Sequence, residues 1–564
     1  MGRLGGQTEG VTAAPSSPPS EIDVVVVGAG FAGMYMLHKL RGLGLSAVVI
    51  EAGTDVGGTW YWNRYPGARC DVPSMEYSFS FDRELEQEWE WTELMAGQPE
   101  ILDYARHVAE RFDLRKDIVF ETRVTAADFD EVTNRWTVSA DTGSQWTSRF
   151  CVMATGCLSI PNTPDLAGLD SFAGELLHTG FWPKDEPNLD GKRVGVIGTG
   201  SSGVQSIPEL AERAEHLHVF QRSPVYTVPA NNKPLRPEIV AEFKERYDEI
   251  RERQRQSVSG FLGPLALKKK KQLPDGVPGT ANKGPRRGLL DLSPEERVEA
   301  FEKYGVGAFR NFRDVYLDRE ANVIATELFR QQLRKLIDDP DVADGLEPKN
   351  YGLACKRQVL DTNYYPTFNR RDVTLVDLRK EPLVEITPTG VRTSASDVEL
   401  DVLVLATGFD AMTGALERID IRGRNGTLLR DTWTDGPRTY LGLQIAGFPN
   451  LFTITGPGSP SVLANMIVAI EQHVDWIADC LGHLDANGLS TIETTPDAVD
   501  EWVAHVNEVA EGTMYTTPDC NSWYLGSNIE GKARVFMPYV GGFGRYRTHC
   551  LEVASEGYEG FVLS

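Results

Sequence analysis

Two glycine-rich loops carry the first legible chemistry. Gly28-Ala29-Gly30-Phe31-Ala32-Gly33 follows an apolar, β-branched run at 23–27 and precedes Met34, Leu37, Leu40 and Leu43, which mark one helix face. A second apolar run, 47–50, ends in Glu51. The succession predicts strand, GxGxxG loop, helix, strand and terminal acid. In such a unit Gly28 makes the tight turn, Gly30 lets the backbone approach a pyrophosphate, and Gly33 lets helix and strand pack. The helix amino terminus adds positive potential for the phosphates. A GxGxxG alone is weak evidence; the complete unit is strong.

The unit recurs. A strand is predicted at 193–197, followed by Gly198-Thr199-Gly200-Ser201-Ser202-Gly203, a helix to about Ala214 and a strand at 218–220. Here the strand ends in Gln221-Arg222-Ser223, with no acid. The two sites therefore differ in charge logic. Glu51 can accept hydrogen bonds from a free ribose hydroxyl and repels a 2′-phosphate, so the first site suits FAD or NAD. Arg222, beside Ser223, is placed to grip a 2′-phosphate with its planar fork, the plainer alternative being an arginine edging a strand. The second site then reads as an NADPH site. A hydride donor needs an acceptor, and two nicotinamides in one chain make little redox sense, so FAD is assigned to the first.

The elements that must position these sites follow from pattern. With 564 residues the chain exceeds one core, and an α/β architecture of two Rossmann-like dinucleotide-binding domains with a helical insertion is expected. Residues 1–20 read as a disordered tail, 21–155 with 390–564 as a discontinuous FAD domain, and 156–234 with 335–389 as a discontinuous NADP domain. Residues 235–334 read as the insertion, interrupted by a Pro/Gly/Lys-rich loop at 263–288. The similar segments 150–156 and 402–408 are expected to be crossings between the domains. A helix from about Val462 to Leu484 is expected to aim its amino terminus at the flavin.

Composition narrows the partners. The net charge of −24 argues against nucleic acid, which needs a basic surface. Lys268-Lys269-Lys270-Lys271 is a local exception, read as a solvated loop. No apolar run is long enough to span a bilayer, and the first twenty residues lack the apolar core of a signal peptide, so a soluble, cytoplasmic protein is expected. Met1-Gly2 opens like a myristoylation site, but Gly6 stands where Ser or Thr is required. The seven cysteines show neither CxxC nor CxxxxC spacing and, with the nine histidines, no metal-ligand spacing. Reduced thiols and no metal are the expectation.

Between the glycine loops lies Phe172-Ala173-Gly174-Glu175-Leu176-Leu177-His178-Thr179-Gly180-Phe181-Trp182-Pro183, which fills every fixed position of F-x-G-x-x-x-H-x-x-x-W-P. Gly58-Thr59-Trp60-Tyr61-Trp62-Asn63-Arg64-Tyr65-Pro66-Gly67-Ala68-Arg69-Cys70-Asp71 matches G-x-W-x-x-x-x-Y-P-G-x-x-x-D. With Cys355-Lys356-Arg357, the run 456–461 and Asn521-Ser522-Trp523-Tyr524, nearly the whole chain resembles the type I Baeyer–Villiger monooxygenases. The phenylacetone and steroid monooxygenase branch is the most similar in pattern.

The resemblance implies an FAD-dependent, NADPH- and O2-consuming enzyme that converts ketones to esters or lactones through a C4a-peroxyflavin. It places Arg357 at flavin C4a, where a cation that never gives up its proton stabilises developing negative charge. Asp71 would orient that guanidinium. Gly58, Thr59, Trp60, Asp71, Tyr77 and Met466 are implied on the flavin side, although a methionine at helical spacing also suits plain core. Lys356 is implied beside Arg222 at the 2′-phosphate, Arg357 also borders NADP, and Trp523 lies on a loop that closes over the nucleotide. His178 is expected to hold the interdomain hinge. The alternative is a flavin N- or S-oxygenating monooxygenase, which shares both loops but usually lacks the Trp-Pro of the dodecamer and needs no arginine at C4a. A disulfide reductase would need the missing cysteine pair, and a non-catalytic nucleotide-binding protein would need neither Asp71 nor Arg357.

Overall fold

The computed structural model describes residues 20–267 and 287–564. The expected tail, Lys268–Lys271 and most of the 263–288 loop lie outside these residues. The first glycine loop follows the strand Ser20–Val27, paired in parallel with Ala47–Ile50 on one side and Gln145–Met153 on the other. Val24, Val25 and Val26 are completely buried because neighbours cover both faces of this strand, which is why the run is uniformly apolar. Ile118–Val119, Val124–Asp130, Arg135–Ala140, Asp420–Arg422 and Leu451–Thr453 complete an eight-stranded mixed sheet. The helices Phe31–Gly42 and Met466–Asn487 pack together on one face. A second cluster, with Val25, Val27, Trp136 and Phe448, fills the other face.

A second sheet of five parallel strands runs in the order Val373–Asp377, His216–Gln221, Arg193–Ile197, Val402–Leu405, Glu175–His178. The chain leaves the first sheet after Met153, enters the second at Glu175 and returns to the first at Asp420. Both glycine loops abut these crossings. A Cβ on Gly28 would lie 2.7 Å from the carbonyl oxygen of Ala154, and one on Gly198 would lie 2.5 Å from that of Ala406. At φ of +104° and +108° these positions are also in the left-handed half of backbone space. Packing against Ala154-Thr155-Gly156 and Ala406-Thr407-Gly408 thus adds a second reason for glycine there.

The stretch after the second nucleotide unit, 235–334, divides between two cores. Phe243, Tyr247 and Ile250, from the helices Pro237–Glu245 and Tyr247–Gln256, join the first core. Phe301 and Phe329, from Pro294–Tyr304 and Arg319–Arg334, join the second. Among the described residues no helix is long and apolar enough to cross a membrane.

One expectation is overturned here. The scattered cysteines predict reduced thiols, yet Cys355 and Cys520 form a disulfide with Cα atoms 5.5 Å apart. Spacing could not show it, because 165 positions separate the two and only tertiary folding juxtaposes them. Cys70, Cys151, Cys157, Cys480 and Cys550 are free and buried.

Candidate active site

The first glycine loop and the Gly58-to-Asp71 motif form one cradle. Gly30 ends the loop and begins the helix Phe31–Gly42. Gly58 approaches it so closely that a Cβ on Gly58 would lie 2.9 Å from Gly30 Cα. Thr59 opens the short helix Thr59–Trp62 and is exposed. Trp60 and Tyr77 are buried, edge to face, with the indole N–H donating to the Tyr77 hydroxyl at 3.2 Å. Glu51 is buried at the strand end, its carboxylate accepting from the amides of Ala29 at 2.7 Å and Gly53 at 2.6 Å. Burial pushes its pKa up, against those two amide hydrogen bonds. A backbone-lined cleft with an anchored carboxylate and aromatic walls fits the pyrophosphate, ribose and ring system of FAD.

The helix expected from Val462 starts later. Residues 461–463 form a separate 3-10 turn, and Asn465 caps Met466–Asn487 by accepting from the Ile467 amide at 3.1 Å. Met466 is half-buried and packs against both the first core and the cluster around Tyr524.

The second loop carries Gly200 at the start of the helix Ser201–Arg213, so Ser201 and Ser202 open that helix. Above Gly200, where a side chain would project, the structure is open. A Cβ on Gly203 would lie 2.3 Å from the Gly198 carbonyl oxygen, as close helix–strand packing requires. Thr199 donates to the carbonyl of Ser223 at 3.1 Å. Arg222 and Ser223 are exposed at the adjacent strand end. Lys356 comes from a distant segment to face Arg222, its ammonium 4.3 Å from the Tyr351 ring centroid. Its pKa is lowered first by burial and then by the Arg222 charge. Neither cation has a carboxylate partner among the described residues. Two converging cations without a counter-ion fit a 2′-phosphate.

Arg357 stands where separate segments meet. Its Nη2 donates to Asp71 at 2.6 Å and its Nη1 to the carbonyl of Val462 at 2.5 Å. The Tyr524 hydroxyl is also bonded to it, and Asp71, chiefly, holds the guanidinium pKa above its ordinary value. Arg357 and Asp71 keep side-chain exposures of 32% and 30%, so the pair opens onto space a ligand can enter. The arrangement presents a fixed, permanently protonated cation, aimed by a carboxylate, at the edge of the flavin-side cradle. Trp523 is half-buried beside Tyr524, with ring centroids 4.2 Å apart.

Several contacts escaped the reading of the sequence. Tyr524 closes the Asn521–Tyr524 tetrapeptide, but nothing in its residue type announces a bond to Arg357. Val462 acts through its backbone, which leaves no side-chain signal. In the Tyr65-Pro66-Gly67 step, Tyr65 donates to Gln205 Oε1 at 2.8 Å and Gln205 donates to the Arg69 carbonyl at 3.0 Å. A Cβ on Gly67 would lie 2.3 Å from the Gln205 carbonyl oxygen. This motif therefore docks the flavin side onto the second nucleotide helix.

His178 does no visible chemistry. Its Nδ1 accepts from the Gly180 amide at 2.9 Å, which places the proton on Nε2, 3.3 Å from the Asn162 carbonyl and 3.2 Å from Thr407 Oγ1. Burial lowers its pKa and keeps it neutral. The ring ties the strand end at 178 to both crossings.

Known proteins resemble this chain along nearly its whole length. The model of the pyridine nucleotide-disulphide oxidoreductase family matches residues 25–260, the part that holds both glycine loops. A Baeyer–Villiger monooxygenase of Pseudooceanicola batsensis is 40% identical over 551 residues, 96% of either chain. A phenazine N-monooxygenase of Lysobacter antibioticus is 40% identical over 554 residues, 96% of this chain and 97% of that one. The structure of an oxidized steroid monooxygenase bound to NADP superposes with a TM-score of 0.87 at 50% identity, covering 96% of this chain and 99% of the other. Identity at this level along nearly the full length shows that the chain belongs to the Baeyer–Villiger monooxygenases.

Proposed function

We propose that the protein uses FAD, NADPH and O2 to convert ketones, in particular bulky cyclic, aryl or steroidal ketones, to esters or lactones, with Arg357 and Asp71 at the reacting centre. The observation that carries this reading is the Arg357 guanidinium, anchored by Asp71, the Val462 carbonyl and Tyr524 at the edge of the flavin-side cradle. Bound FAD supplies the activation of O2 and NADPH the hydride that this needs. Arg357 contributes a fixed positive charge where a ketone oxygen becomes an oxyanion, and it costs no reorganisation at that moment because its partners already hold it. It cannot act as a proton donor, so nucleophilic oxygen near it stays unprotonated. Asp71 fixes the guanidinium's direction. The Trp523 loop excludes water when it covers the nucleotide. The lean toward large ketones rests on the 50% identity to a steroid monooxygenase.

The test is aerobic NADPH consumption by the FAD-loaded enzyme over small, aryl, macrocyclic and steroidal ketones, with products identified by mass spectrometry. Esters or lactones, formed fastest from the bulky members, are expected. Consumption that yields only hydrogen peroxide with every ketone would sink the reading. A panel of amines, sulfides and phenazines belongs beside the ketones, because the Lysobacter antibioticus relative is named an N-monooxygenase. N-oxides without esters would favour that second reading.

A further prediction concerns the cation pair. Arg222→Ala should raise the KM for NADPH by about one to two orders of magnitude, since a charge-assisted contact to the phosphate is lost, and leave that for NADH nearly unchanged. Steady-state kinetics with both nucleotides decides it; equal changes would remove Arg222 from the phosphate site.

A further inference from the structure

We propose that the Cys355–Cys520 disulfide is a redox latch that restrains the Trp523 loop over Arg357. The inference rests on the assignment of Lys356, Arg357 and Trp523 to the nucleotide site. Cys355 immediately precedes Lys356 and Arg357, and Cys520 lies three residues before Trp523. The bond therefore joins the turn that carries both site cations to the segment that carries the covering tryptophan. It sits in a buried cluster with Cys157, Met412, Val462, Tyr524 and Phe536. Thus the latch adjoins Val462 and Tyr524, two of the groups that hold Arg357.

Apart from the buried side chains of that cluster and the Tyr524–Arg357 bond, the loop is held by few ties. Between Ala510 and Phe543 its only regular structure is two three-residue turns, Met514–Thr516 and Trp523–Leu525. Its remaining polar ties to the body include Asn528 to the Phe409 carbonyl at 2.7 Å, Lys532 to Asp410 at 2.5 Å and the Gly458 amide to the Met537 carbonyl at 2.7 Å. Such ties can open one at a time, whereas the covalent bond cannot. A loop that must move for nucleotide to enter and leave is pinned at residue 520 while the bond is intact.

Opening the latch requires a dithiol reductant. Its thiolate attacks one sulfur, forming a mixed disulfide, and its second thiol resolves that bond. Two electrons and two protons pass to Cys355 and Cys520, which become thiols, and the reductant leaves as its own disulfide. Cys355 is 1% and Cys520 0% exposed, so the attack needs the loop on either side of the pinned residue 520 to lift first. Nucleotide that holds the loop down should then protect the bond, and the broken bond should free the nucleotide.

The experiment uses the FAD-loaded full chain. Denaturing alkylation without reductant should modify the five free cysteines and spare Cys355 and Cys520, read by peptide mass spectrometry. Native dithiothreitol should then expose these two, about tenfold more slowly with saturating NADP+, as expected when attack proceeds only from an open state. Reduced enzyme should release NADP+ about tenfold faster, the loop motion being what gates release. Cys520→Ser should reproduce that release rate without reductant; should it not fold, the reduced parent chain supplies the same reading. Seven alkylated thiols at the outset, or a release rate indifferent to reduction, would overturn the latch. NADP+ binding is followed separately by the perturbed flavin absorbance. Binding with an unprotected disulfide overturns the latch alone, and absence of binding overturns the site assignment and the latch with it.

Discussion

Arg357→Ala should leave reduction of the flavin by NADPH within a few fold of the parent rate and lower ester formation by about 10²–10³-fold or more, the range seen when one preorganised oxyanion donor is removed. The two half-reactions part company because the arginine is asked to stabilise charge only when oxygen attacks the ketone. Hydride transfer needs the nucleotide held, and Arg222 and Lys356, proposed to grip its phosphate, remain in the variant. Anaerobic stopped-flow reduction and product analysis in air would separate the two. NADPH oxidation should continue in the variant with hydrogen peroxide as its outlet. Arg357→Lys should fall between, because an ammonium keeps the charge but cannot bond Asp71 and Val462 with one planar fork. Undiminished ester formation by Arg357→Ala would remove the residue from the reacting centre.

Acid should unfold the first nucleotide core through His473. This histidine is 1% exposed on the helix Met466–Asn487. Its Nδ1 accepts from the Thr455 amide at 3.1 Å, and its Nε2 meets the Tyr546 hydroxyl at 2.6 Å. The Tyr546 hydroxyl in turn donates to the Leu441 carbonyl at 2.5 Å, so it must accept from Nε2, and the ring is the neutral Nε2–H tautomer. Protonation would set a second N–H against the Thr455 donor inside a buried site. Burial accordingly pushes the pKa down from 6.5 to about 3. The unfolded chain then binds more protons than the folded one between these values, so stability falls as pH falls through this window. Near pH 4.5 the contribution lost is on the order of 2–3 kcal/mol, at 1.36 kcal/mol for each pH unit below the ordinary value. His473→Gln removes the titration. Its stability deficit relative to the parent should be greatest above pH 6.5 and shrink toward pH 4.5, as read from denaturation midpoints across pH. A deficit independent of pH would contradict the assignment.

Both predictions turn on contacts of different legibility. The glycine loops were readable because their requirements are local. A strand, a tight turn and a helix amino terminus are consecutive in sequence, and each glycine is demanded by backbone a few residues away, as at Gly33 and Gly203, or by a strand end, as at Gly28. The same local rule sets the positions of Arg222 and Glu51, each directly after a strand. His473 gave no signal, because its two hydrogen-bonding partners lie on separate segments at 455 and 546. The disulfide ran against the sequence expectation for the same cause.

The sequence by itself determined the two nucleotide units, their opposite charge preferences and, through the Gly58-to-Asp71 and Phe172-to-Pro183 strings, the family. Those features are short-range, so periodicity and charge suffice to express them. Only the tertiary structure decided what Arg357 bonds to, since Asp71, Val462 and Tyr524 lie 286, 105 and 167 positions away, the first two bonded at 2.6 and 2.5 Å. It also decided that Lys356 faces Arg222, that Tyr65 and Gly67 dock on Gln205, and that Cys355 reaches Cys520. The physical reason is chain crossing. The polypeptide passes from the first sheet to the second and back, so the site is assembled from segments whose proximity depends on how two cores pack, and no local rule encodes that packing.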